Sequence, residues 1–440
     1  MDLKRYFDYF ENLPNEIKSA EVYAQEADSF SVTILNGEIE DYNVSSTGGL
    51  SLRVDAGNVG YAYSECIEEN PEKLAEIALN NALFVQSEDE ELFNDSKEHK
   101  EFNYIQSVDQ EDTTKKIEAA KQLENIALNI DARVKESKRC IIGSNSYNLQ
   151  IVNSLGLNVK TSDAYTMAFC SVIAKEKDEI KDGSAFIIAK ELKDIDLDAL
   201  AKKAVDEAVS QLGAQQIETG KNDVIILNEA VCDLLAGFAS VFSAYNVQKD
   251  LSLLKGKLNQ VIASDIVNLY DNGMEEDSII KTPFDAEGTL TKRTDIIVSG
   301  ELKTYLHNLK TAKKDGVKTT GNAYKASAAS PIGVSPNNMI LQPGKVSFDE
   351  LMKQLNNGVV ITEVSGLHAG LNPVSGDFSL LCKGYQVVDK KRGKSVEQIM
   401  VVGNFLELLK NISQIANDSY NNIGFICPSI LVKNMQIAGK

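Results

Sequence analysis

Apolar and polar residues alternate along the first part of the chain in the pattern of β-strands. The alternation runs through residues 30–34 and stops at Asn36-Gly37, residue types that favour the positive φ angles of a two-residue hairpin turn. It returns at residues 50–54, stops at Gly57-Asn58, and appears again at residues 166–173. The sequence therefore predicts successive antiparallel hairpins.

Helical periodicity lies between and after these strands. Asn70 and Pro71 suit the N-cap and first turn of a helix with an apolar stripe from Leu74 to Ala82. Further stripes predict helices at residues 119–130 and 197–212. An amphipathic helix buries its apolar face, so these helices are expected to cover the hairpins in an α+β domain.

A polar stretch from Gly213 to Asn222 separates two predicted domains. The expected boundaries are 1–215 for the N-terminal α+β domain and 222–440 for a C-terminal, largely β domain with a few helices. At 440 residues, the chain is long for a single core.

The second half begins with an apolar run, 224–227, that predicts a buried strand. Helices are expected at 230–245, 301–314 and 404–416. Ser347 and Glu350 have capping-box spacing, which predicts another short helix ending at Asn357-Gly358.

Charge and cysteine usage restrict the class of protein. The 45 basic and 64 acidic residues give a net charge of −19, which repels a phosphate backbone and argues against nucleic-acid binding. No run of about 18 apolar residues predicts a membrane span, and the N-terminus does not resemble a secretory signal. The six cysteines have no CxxC spacing. These features favour reduced thiols and a cytoplasmic protein.

Residue chemistry alone identifies no active site. His99, His307 and His368 lie far apart in the sequence, so they form no local metal motif. We expect His99 and His307 at the surface, and His368 in a glycine-flanked loop that could line a cleft. Cys427 can be interpreted as a catalytic or a buried thiol, and burial is the simpler interpretation.

Asp285 and Glu287 also allow two interpretations. They could form a carboxylate pair on one face of a strand, or belong to a turn before Gly288. The turn is the simpler interpretation.

Several glycine-rich and polar motifs are together more specific than any single residue. In chain order they are Gly48–Val54, Gly60–Tyr63, Phe284–Gly288, Thr320–Tyr324, Ser375–Ser379, Gly403–Phe405, Ala416–Asp418 and Pro428–Ile430. This order resembles the TldD/PmbA family from about residue 30 to residue 440, although Lys325 stands where the family usually has arginine. The segment Pro428–Ile430 resembles the PmbA (TldE) branch.

The resemblance implies a division of labour between two chains. TldD-like chains resemble zinc peptidases, with HExxxH on the helix that opens the second domain and a cysteine ligand near the C-terminus. The matching helix here is Cys232–Val241, which has no histidine. The resemblance thus implies no catalytic residue, metal ligand or cofactor in this chain, and zinc in a TldD-like partner. Cys427, near the C-terminus, departs from the branch pattern.

The implied function is that of a non-catalytic subunit of a peptidase that degrades or processes unfolded peptides. The joint cavity would take extended peptides, and the chain could form a homodimer when alone. The residues expected to line or shape the cavity are Gly321, Asn322, Tyr324, His368, Gly376, Asp377 and Phe378. Two alternatives remain, namely a stand-alone interaction protein that modulates gyrase and a self-sufficient hydrolase with non-zinc chemistry.

Overall fold

The computed structural model of the protein describes residues 1–85, 92–95, 97, 99–105 and 111–440. The fold is α+β, as predicted. Within the described ranges, no helix combines the length and the apolar character needed to cross a membrane.

One seven-stranded sheet organises the N-terminal half. Its strands are β1 (Ser19–Leu35), β2 (Glu38–Asp55), β3 (Val59–Ser64), β4 (Glu101–Ile105), β5 (Val134–Asn153), β6 (Asn158–Glu176) and β7 (Glu179–Ala189). They run in the order β3-β2-β1-β5-β6-β4, and β7 pairs with another part of β6. The pairings are antiparallel except for β4 with β6, so the predicted hairpins are confirmed.

Helices cover the apolar side of this sheet. They are α1 (Lys4–Phe10), α2 (Pro71–Ala82), α3 (Thr113–Ile130) and α4 (Leu197–Ser210). Helices α3 and α4 bury Phe30, Val32 and Ile34, while α1 and α2 pack over the part of the sheet that includes Leu50 and Leu52. Each such side chain, fully buried, contributes about 1.5–3 kcal/mol.

Local signals fix the turns and helix starts. Asn36 (φ 54°) and Gly37 (φ 77°) form the turn between β1 and β2. The Asn70 side chain accepts a hydrogen bond from the Lys73 amide at 2.9 Å, and Pro71 is the first residue of α2. Both predictions are confirmed because each depends on neighbouring residues alone.

The C-terminal half contains many short strands. They are β8 (Gly220–Ile226), β9 (Leu269–Asp271), β10 (Thr294–Val298), β11 (Glu301–Leu302), β12 (Ala323–Tyr324), β13 (Gly333–Val334), β14 (Met339–Leu341), β15 (Gly358–Ser365), β16 (Asp377–Val388), β17 (Lys391–Asn404), β18 (Ile412–Ile415), β19 (Tyr420–Asn422), β20 (Phe425–Cys427) and β21 (Ile430–Ala438). The helices between them are α5 (Asn228–Phe238), α6 (Ala244–Gln248), α7 (Leu309–Asp315), α8 (Phe348–Leu355), α9 (Leu367–Gly370) and α10 (Phe405–Lys410).

Five of these strands close into a ring. The pairing runs β8-β15-β16-β17-β21 and returns to β8, because β21 pairs with both β17 and β8. A second sheet has the order β11-β10-β9-β14-β20-β19, and β12 pairs with β13. Helix α5 follows β8 directly and belongs to the large apolar core of this half.

Three predicted helices of this half need correction. The first begins at Asn228 and ends at Phe238, before a 3-10 turn and α6, instead of running through 230–245. The second begins only after Asn308, because that side chain caps the Thr311 amide at 2.9 Å. The third stops at Lys410, because β18 then pairs with β21. Tertiary pairing and capping override the apolar period here.

The helix expected after Ser347 is confirmed as α8. Ser347 Oγ accepts from the Glu350 amide at 3.3 Å, and the Glu350 carboxylate accepts from the Ser347 amide at 2.7 Å. The helix ends at Leu355, and the next residue, Asn356, has φ 58°.

The two halves pack directly against each other. Tyr23, Ile151 and Val159 of the N-terminal sheet form one buried cluster with Phe284 and Ala323 of the C-terminal half. Phe284 and Ala323 belong to two of the sequence motifs, so these motifs lie at the contact between the two halves.

Candidate functional site

The start of α5 brings three distant segments together. The Asn228 amide N–H donates to Ser429 Oγ at 3.0 Å, and Asn228 Nδ2 donates to the Asp418 carbonyl at 2.6 Å. Ser429 Oγ in turn donates to Asp418 Oδ2 at 2.7 Å. The motifs 416–418 and 428–430 therefore anchor the N-terminus of this helix.

The helix start also changes the comparison with HExxxH. Counted from Asn228, the helix reads Asn-Glu-x-x-x-Asp, so Asn228, Glu229 and Asp233 occupy the spacing of the two histidines and the glutamate. The sequence comparison placed the match four residues later, at Cys232. The spacing at residues 228–233 is readable in the sequence itself, and the observed helix start shows that these residues open the helix.

Part of α5 faces an acidic cavity of about 290 Å³ between the two halves. Glu229 and Asp233 line it from α5, Glu207 from α4 and Glu363 from β15. Lys203 forms an ion pair with Glu229, while Lys383 Nζ lies 3.1 Å from Glu363 Oε2.

Burial makes these acids harder to ionise. Desolvation, followed by the charges of Glu229 and Glu363, raises the pKa of Asp233 to about 6. Desolvation raises the pKa of Glu207 to about 7; the Ser184 amide opposes this shift, and the Glu363 charge adds to it. The carboxyl groups of Asp233 and Glu207 can therefore be partly protonated near neutral pH.

The residues of α5 do not fit a zinc site. The Asn228 side chain is hydrogen-bonded at both polar atoms, because its Oδ1 accepts from the Glu229 amide at 2.8 Å while its Nδ2 donates to the Asp418 carbonyl. Cys232 is buried, with its Sγ 3.7 Å from the Tyr420 carbonyl. Across the part of the chain that the structure describes, no group of three or more His, Cys, Asp or Glu side chains could hold a metal ion.

The three histidines lie in separate places, whereas the Cys427 thiol contacts Cys232 of α5. His307 is buried, not at the surface as predicted, and burial lowers the pKa of its ring. Its backbone carbonyl accepts from the amides of Thr320 and Asn322. His99 is half-buried rather than solvated, since its Nε2 lies 2.8 Å from the Gly288 carbonyl. Cys427 is a buried thiol, as predicted.

A second cavity, of about 260 Å³, lies between the N-terminal sheet and the C-terminal half. Tyr324 lines it and is 51% exposed, facing Tyr23 and Tyr147 of the sheet across the cavity. The Thr161 hydroxyl is buried beside it and has no hydrogen-bond partner among the residues that the structure describes. We call this the aromatic cavity; it contains Tyr324, one of the residues predicted to line a substrate cavity.

Gly321 and Asn322 lie behind this cavity. Asn322 is fully buried, and its Nδ2 donates to Asp271 Oδ2 at 2.7 Å. Gly321 has φ +75°, and its carbonyl accepts from Asn337 Nδ2 at 2.9 Å. Burial raises the pKa of Asp271 to about 7, against the stabilising bonds from Asn322 and Asn337. These residues shape the cavity rather than line it.

Lys325 links two of the sequence motifs across the domain contact. Its Nζ donates to Ser51 Oγ at 2.7 Å and lies 4.8 Å from the centre of the Tyr23 ring. Burial, then the neighbouring Arg53, lowers the pKa of Lys325 to about 8, while Glu21 opposes the shift. Sequence reasoning recognised Lys325 only as a departure from arginine.

Asp285 and Glu287 form a turn, as the simpler interpretation predicted. Asp285 Oδ1 accepts from the amides of Glu287 and Thr289, each at 2.9 Å, before Gly288 at φ +73°. Glu287 Oε2 accepts from the Leu309 amide at 2.8 Å, at the start of α7. Both carboxylates are buried, so they hold the backbone together instead of facing a substrate.

The remaining predicted residues do not meet Tyr324. Phe378 is buried, with its ring centre 6.2 Å from that of Phe238, so it belongs to the core. Gly376 forms the preceding turn at φ +83°, and Asp377 is exposed and accepts from Asn404 Nδ2 at 3.0 Å. His368 is exposed on α9. None of these four lines the aromatic cavity.

Comparison with known proteins gives one consistent result. The profile of the PmbA/TldA metallopeptidase C-terminal domain matches residues 219–439, that of the central domain 107–212, and that of domain 1 20–82. The chain is 27% identical over 434 residues to metalloprotease PmbA of Escherichia coli O157:H7, covering 96% of this chain and 92% of that protein. It is 28% identical to an uncharacterised protein of Methanocaldococcus jannaschii, covering 92% and 93%.

Solved structures agree. A Thermotoga maritima protein whose suggested role is modulation of a DNA gyrase superimposes with a TM-score of 0.87, at 34% identity and 96% coverage of both chains. TldE from Thermococcus kodakarensis superimposes with a TM-score of 0.86, covering 99% of this chain and all of that one. At 19% identity, this second likeness shows the fold alone.

Proposed function

This chain belongs to the PmbA/TldD metallopeptidase family, and on that premise we propose that it is the non-catalytic subunit of a two-chain, TldD-type zinc peptidase. It would act in the cytoplasm, with zinc held by the TldD-like partner. The substrates would be extended, unfolded peptides.

The observation that carries this proposal is the donor set of α5. The catalytic branch needs two imidazoles and a glutamate on this helix, since imidazole nitrogens hold Zn²⁺ and the glutamate activates water. Here Asn228 and Asp233 stand at the histidine spacing, and the Asn228 amide is already bonded to the backbone. Only Glu229 of the three functional positions is retained, and it pairs with Lys203.

The proposed contribution of this chain to substrate binding is the aromatic cavity. Tyr324 offers an exposed ring to a bound peptide. Binding through backbone groups and ring faces tolerates many sequences, as processing of unfolded peptides requires. The bonds of Gly321, Asn322 and Lys325 anchor the chain on both sides of Tyr324.

Reconstitution tests the proposal. The chain is co-expressed with a TldD-like chain, and hydrolysis of an unstructured peptide is measured for each chain alone and for the mixture. We expect co-purification, and activity that depends on the TldD-like chain and is increased by this one. Tyr324→Ala should raise KM for the peptide in the mixture, while the control Tyr63→Ala, also at an exposed tyrosine, leaves KM unchanged.

Two outcomes would favour the alternatives. Peptide hydrolysis by this chain alone, blocked by a thiol reagent, would indicate a self-sufficient hydrolase. Binding to purified gyrase at physiological salt, with no binding to any TldD-like chain, would indicate an interaction protein.

A further inference from the structure

The acidic cavity beside α5 contains a buried polar side chain with an unused hydrogen-bond acceptor. Gln211, the residue that follows α4, lines this cavity and is only 4% exposed. Its Oε1 has no hydrogen-bond partner among the residues that the structure describes. A buried carbonyl oxygen normally accepts at least one hydrogen bond, so Gln211 offers its oxygen to a donor that enters the cavity.

The carboxyl groups of this cavity outnumber the cations that pair with them. Lysines form ion pairs with Glu229 and Glu363, as described above. Within the described part of the chain, no lysine or arginine forms an ion pair with Glu207 or Asp233, although Lys383 lies near enough to Glu207 to favour its charged form. Glu207 and Glu363 lie close enough to share a proton. A cation that displaced this proton would let both groups ionise.

The other charged residues of the cavity wall have contacts of their own. Asp206 pairs with Lys202 at 2.5 Å. Arg392 is exposed, and the central carbon of its guanidinium lies 4.3 Å from the centre of the Tyr385 ring. Neither residue supplies the positive charge that Glu207 and Asp233 lack.

The end of α4 and the apolar part of the wall narrow the choice of cation. Glu207 and Gln211 are four residues apart at the C-terminus of α4, where the helix carbonyls favour positive charge. Half-buried Phe169, Phe186 and Leu227 line the same cavity, so an alkyl chain suits it. A primary ammonium group has three N–H donors and no acceptor. A metal ion fits less well, because the described residues include no group of three or more His, Cys, Asp or Glu side chains that could hold one.

We propose that this cavity binds a primary ammonium group on a short alkyl chain, with Gln211 Oε1 accepting one N–H while Glu207 and Asp233 supply the opposite charge. A free diamine and the lysine side chain of a peptide both carry this group. The volume of about 290 Å³ admits one such chain. The inference is independent of the proposed peptidase role, because it needs only the residues of this chain.

The first test compares three ligands by isothermal titration calorimetry of the full chain. Butylamine, charged at neutral pH, should bind with a stoichiometry of one. Butan-1-ol has the same alkyl chain without the charge, and butyltrimethylammonium has the charge without an N–H donor. Both should bind at least about 10-fold more weakly, since each lacks one part of a charge-assisted hydrogen bond. The last ligand also controls for general attraction of cations to a chain of net charge −19.

Two variants test the assigned residues. Gln211→Leu removes the acceptor, and Glu207→Gln removes the charge but can keep the bond from the Ser184 amide. Each should weaken butylamine binding by about 10-fold. The matched controls Gln216→Leu and Glu218→Gln make the same changes at exposed residues outside the cavity and should bind as the wild type does. Urea unfolding verifies that each variant is folded.

The pH dependence gives a readout that a merely structural role would not change. Butylamine binding should strengthen between about pH 5.5 and pH 8, because Asp233 and Glu207, with pKa values raised to about 6 and about 7, must ionise to receive the cation. The lysines beside them stay charged over this interval. In Glu207→Gln, the increase above about pH 6.5 should be lost.

Two further ligands distinguish the sources of the ammonium group. Tighter binding of Nα-acetyl-lysine amide than of 1,4-diaminobutane would support the proposal with a peptide lysine as the ligand, and the reverse order would support it with a free diamine. Absence of butylamine binding at millimolar concentration would overturn the proposal. Equal binding of butyltrimethylammonium, or wild-type affinity in both Gln211→Leu and Glu207→Gln, would also overturn it.

Discussion

Replacing Glu207 by glutamine should make the stability of the protein less dependent on pH. Glu207 lies between α4 and the acidic cavity, and its Oε2 accepts from the Ser184 amide at 2.8 Å. Glutamine can keep this bond through its carbonyl oxygen, but it carries no charge. The substitution therefore isolates the cost of burying the carboxylate beside Glu363.

The magnitude follows from the pKa. Burial raises the pKa of Glu207 from its ordinary value of 4.5 to about 7, so the folded protein retains a proton that the unfolded chain releases over this interval. A raised carboxyl pKa means that stability is greatest at low pH and declines as pH rises through the folded value. The difference between these two pKa values corresponds to at most about 3.4 kcal/mol, and solvent in the open cavity reduces this to about 1–3 kcal/mol.

Urea unfolding at about pH 5 and about pH 7.5 measures the effect. Above pH 7, Glu207→Gln should be more stable than the wild type by about 1–3 kcal/mol, and the advantage should shrink toward pH 5. Asp206→Asn is the matched control, because Asp206 is the adjacent residue of α4 but is exposed and paired with Lys202 at 2.5 Å. It should leave the pH dependence unchanged. An unaltered pH dependence in Glu207→Gln, or a variant less stable than the wild type at pH 7.5, would refute the reasoning.

Three further substitutions test buried packing in the two halves of the protein, each by urea or thermal unfolding. Asn322→Ala removes a buried donor from the Asp271 carboxylate and should lower the free energy of unfolding by about 1–3 kcal/mol. The loss should be larger above pH 7, where Asp271 must ionise. A variant as stable as the wild type would contradict the buried hydrogen-bond network. Phe238→Ala removes a fully buried ring that stacks on Phe405 at 4.4 Å, and should cost about 3–5 kcal/mol; a cost below about 1 kcal/mol would mean that this ring is not in the core. Gly60→Ala would place a Cβ 1.9 Å from a carbonyl oxygen of α2, and should lower the unfolding midpoint by more than Gly37→Ala, which meets open space but is strained at φ +77°.

The sequence predicts the local part of the fold well. The Asn36-Gly37 turn, the Asn70 cap and the Ser347–Glu350 capping box depend on residues within a few positions of each other. The α+β class follows from these signals together with strand alternation. Their physics is complete within a short segment, so no knowledge of the tertiary structure is needed.

The site depends on contacts that a linear pattern does not contain. The start of α5 is set by Asn228, whose partners Asp418 and Ser429 lie near the other end of the chain. Likewise, Lys325 finds Ser51 across the domain contact. Apolar periodicity alone predicted a helix that begins at residue 230. The comparison with HExxxH was therefore made at Cys232 instead of Asn228. Phe378 was expected near a cleft for a similar reason, since its motif is recognisable in sequence while its burial depends on Phe238.

The exposed edge of β2 illustrates a different limit. Alternation correctly indicates a strand, but it cannot say whether a neighbour covers the second side. That depends on where β3 stops pairing, at Leu50 opposite Ser64. The first half of β2 is therefore exposed and the second half is buried, although both halves pair with β1.

The most direct test of the central claim is the zinc content of the chain, measured by mass spectrometry of the metal on protein purified without a histidine tag or chelators and then dialysed against excess zinc. With Asn228 bonded to the backbone and Asp233 in place of the second histidine, α5 should retain close to no zinc per chain, while a TldD-like chain treated in parallel retains about one. About one tightly held zinc in this chain, lost on Asp233→Ala, would contradict the account and assign the metal site to this subunit.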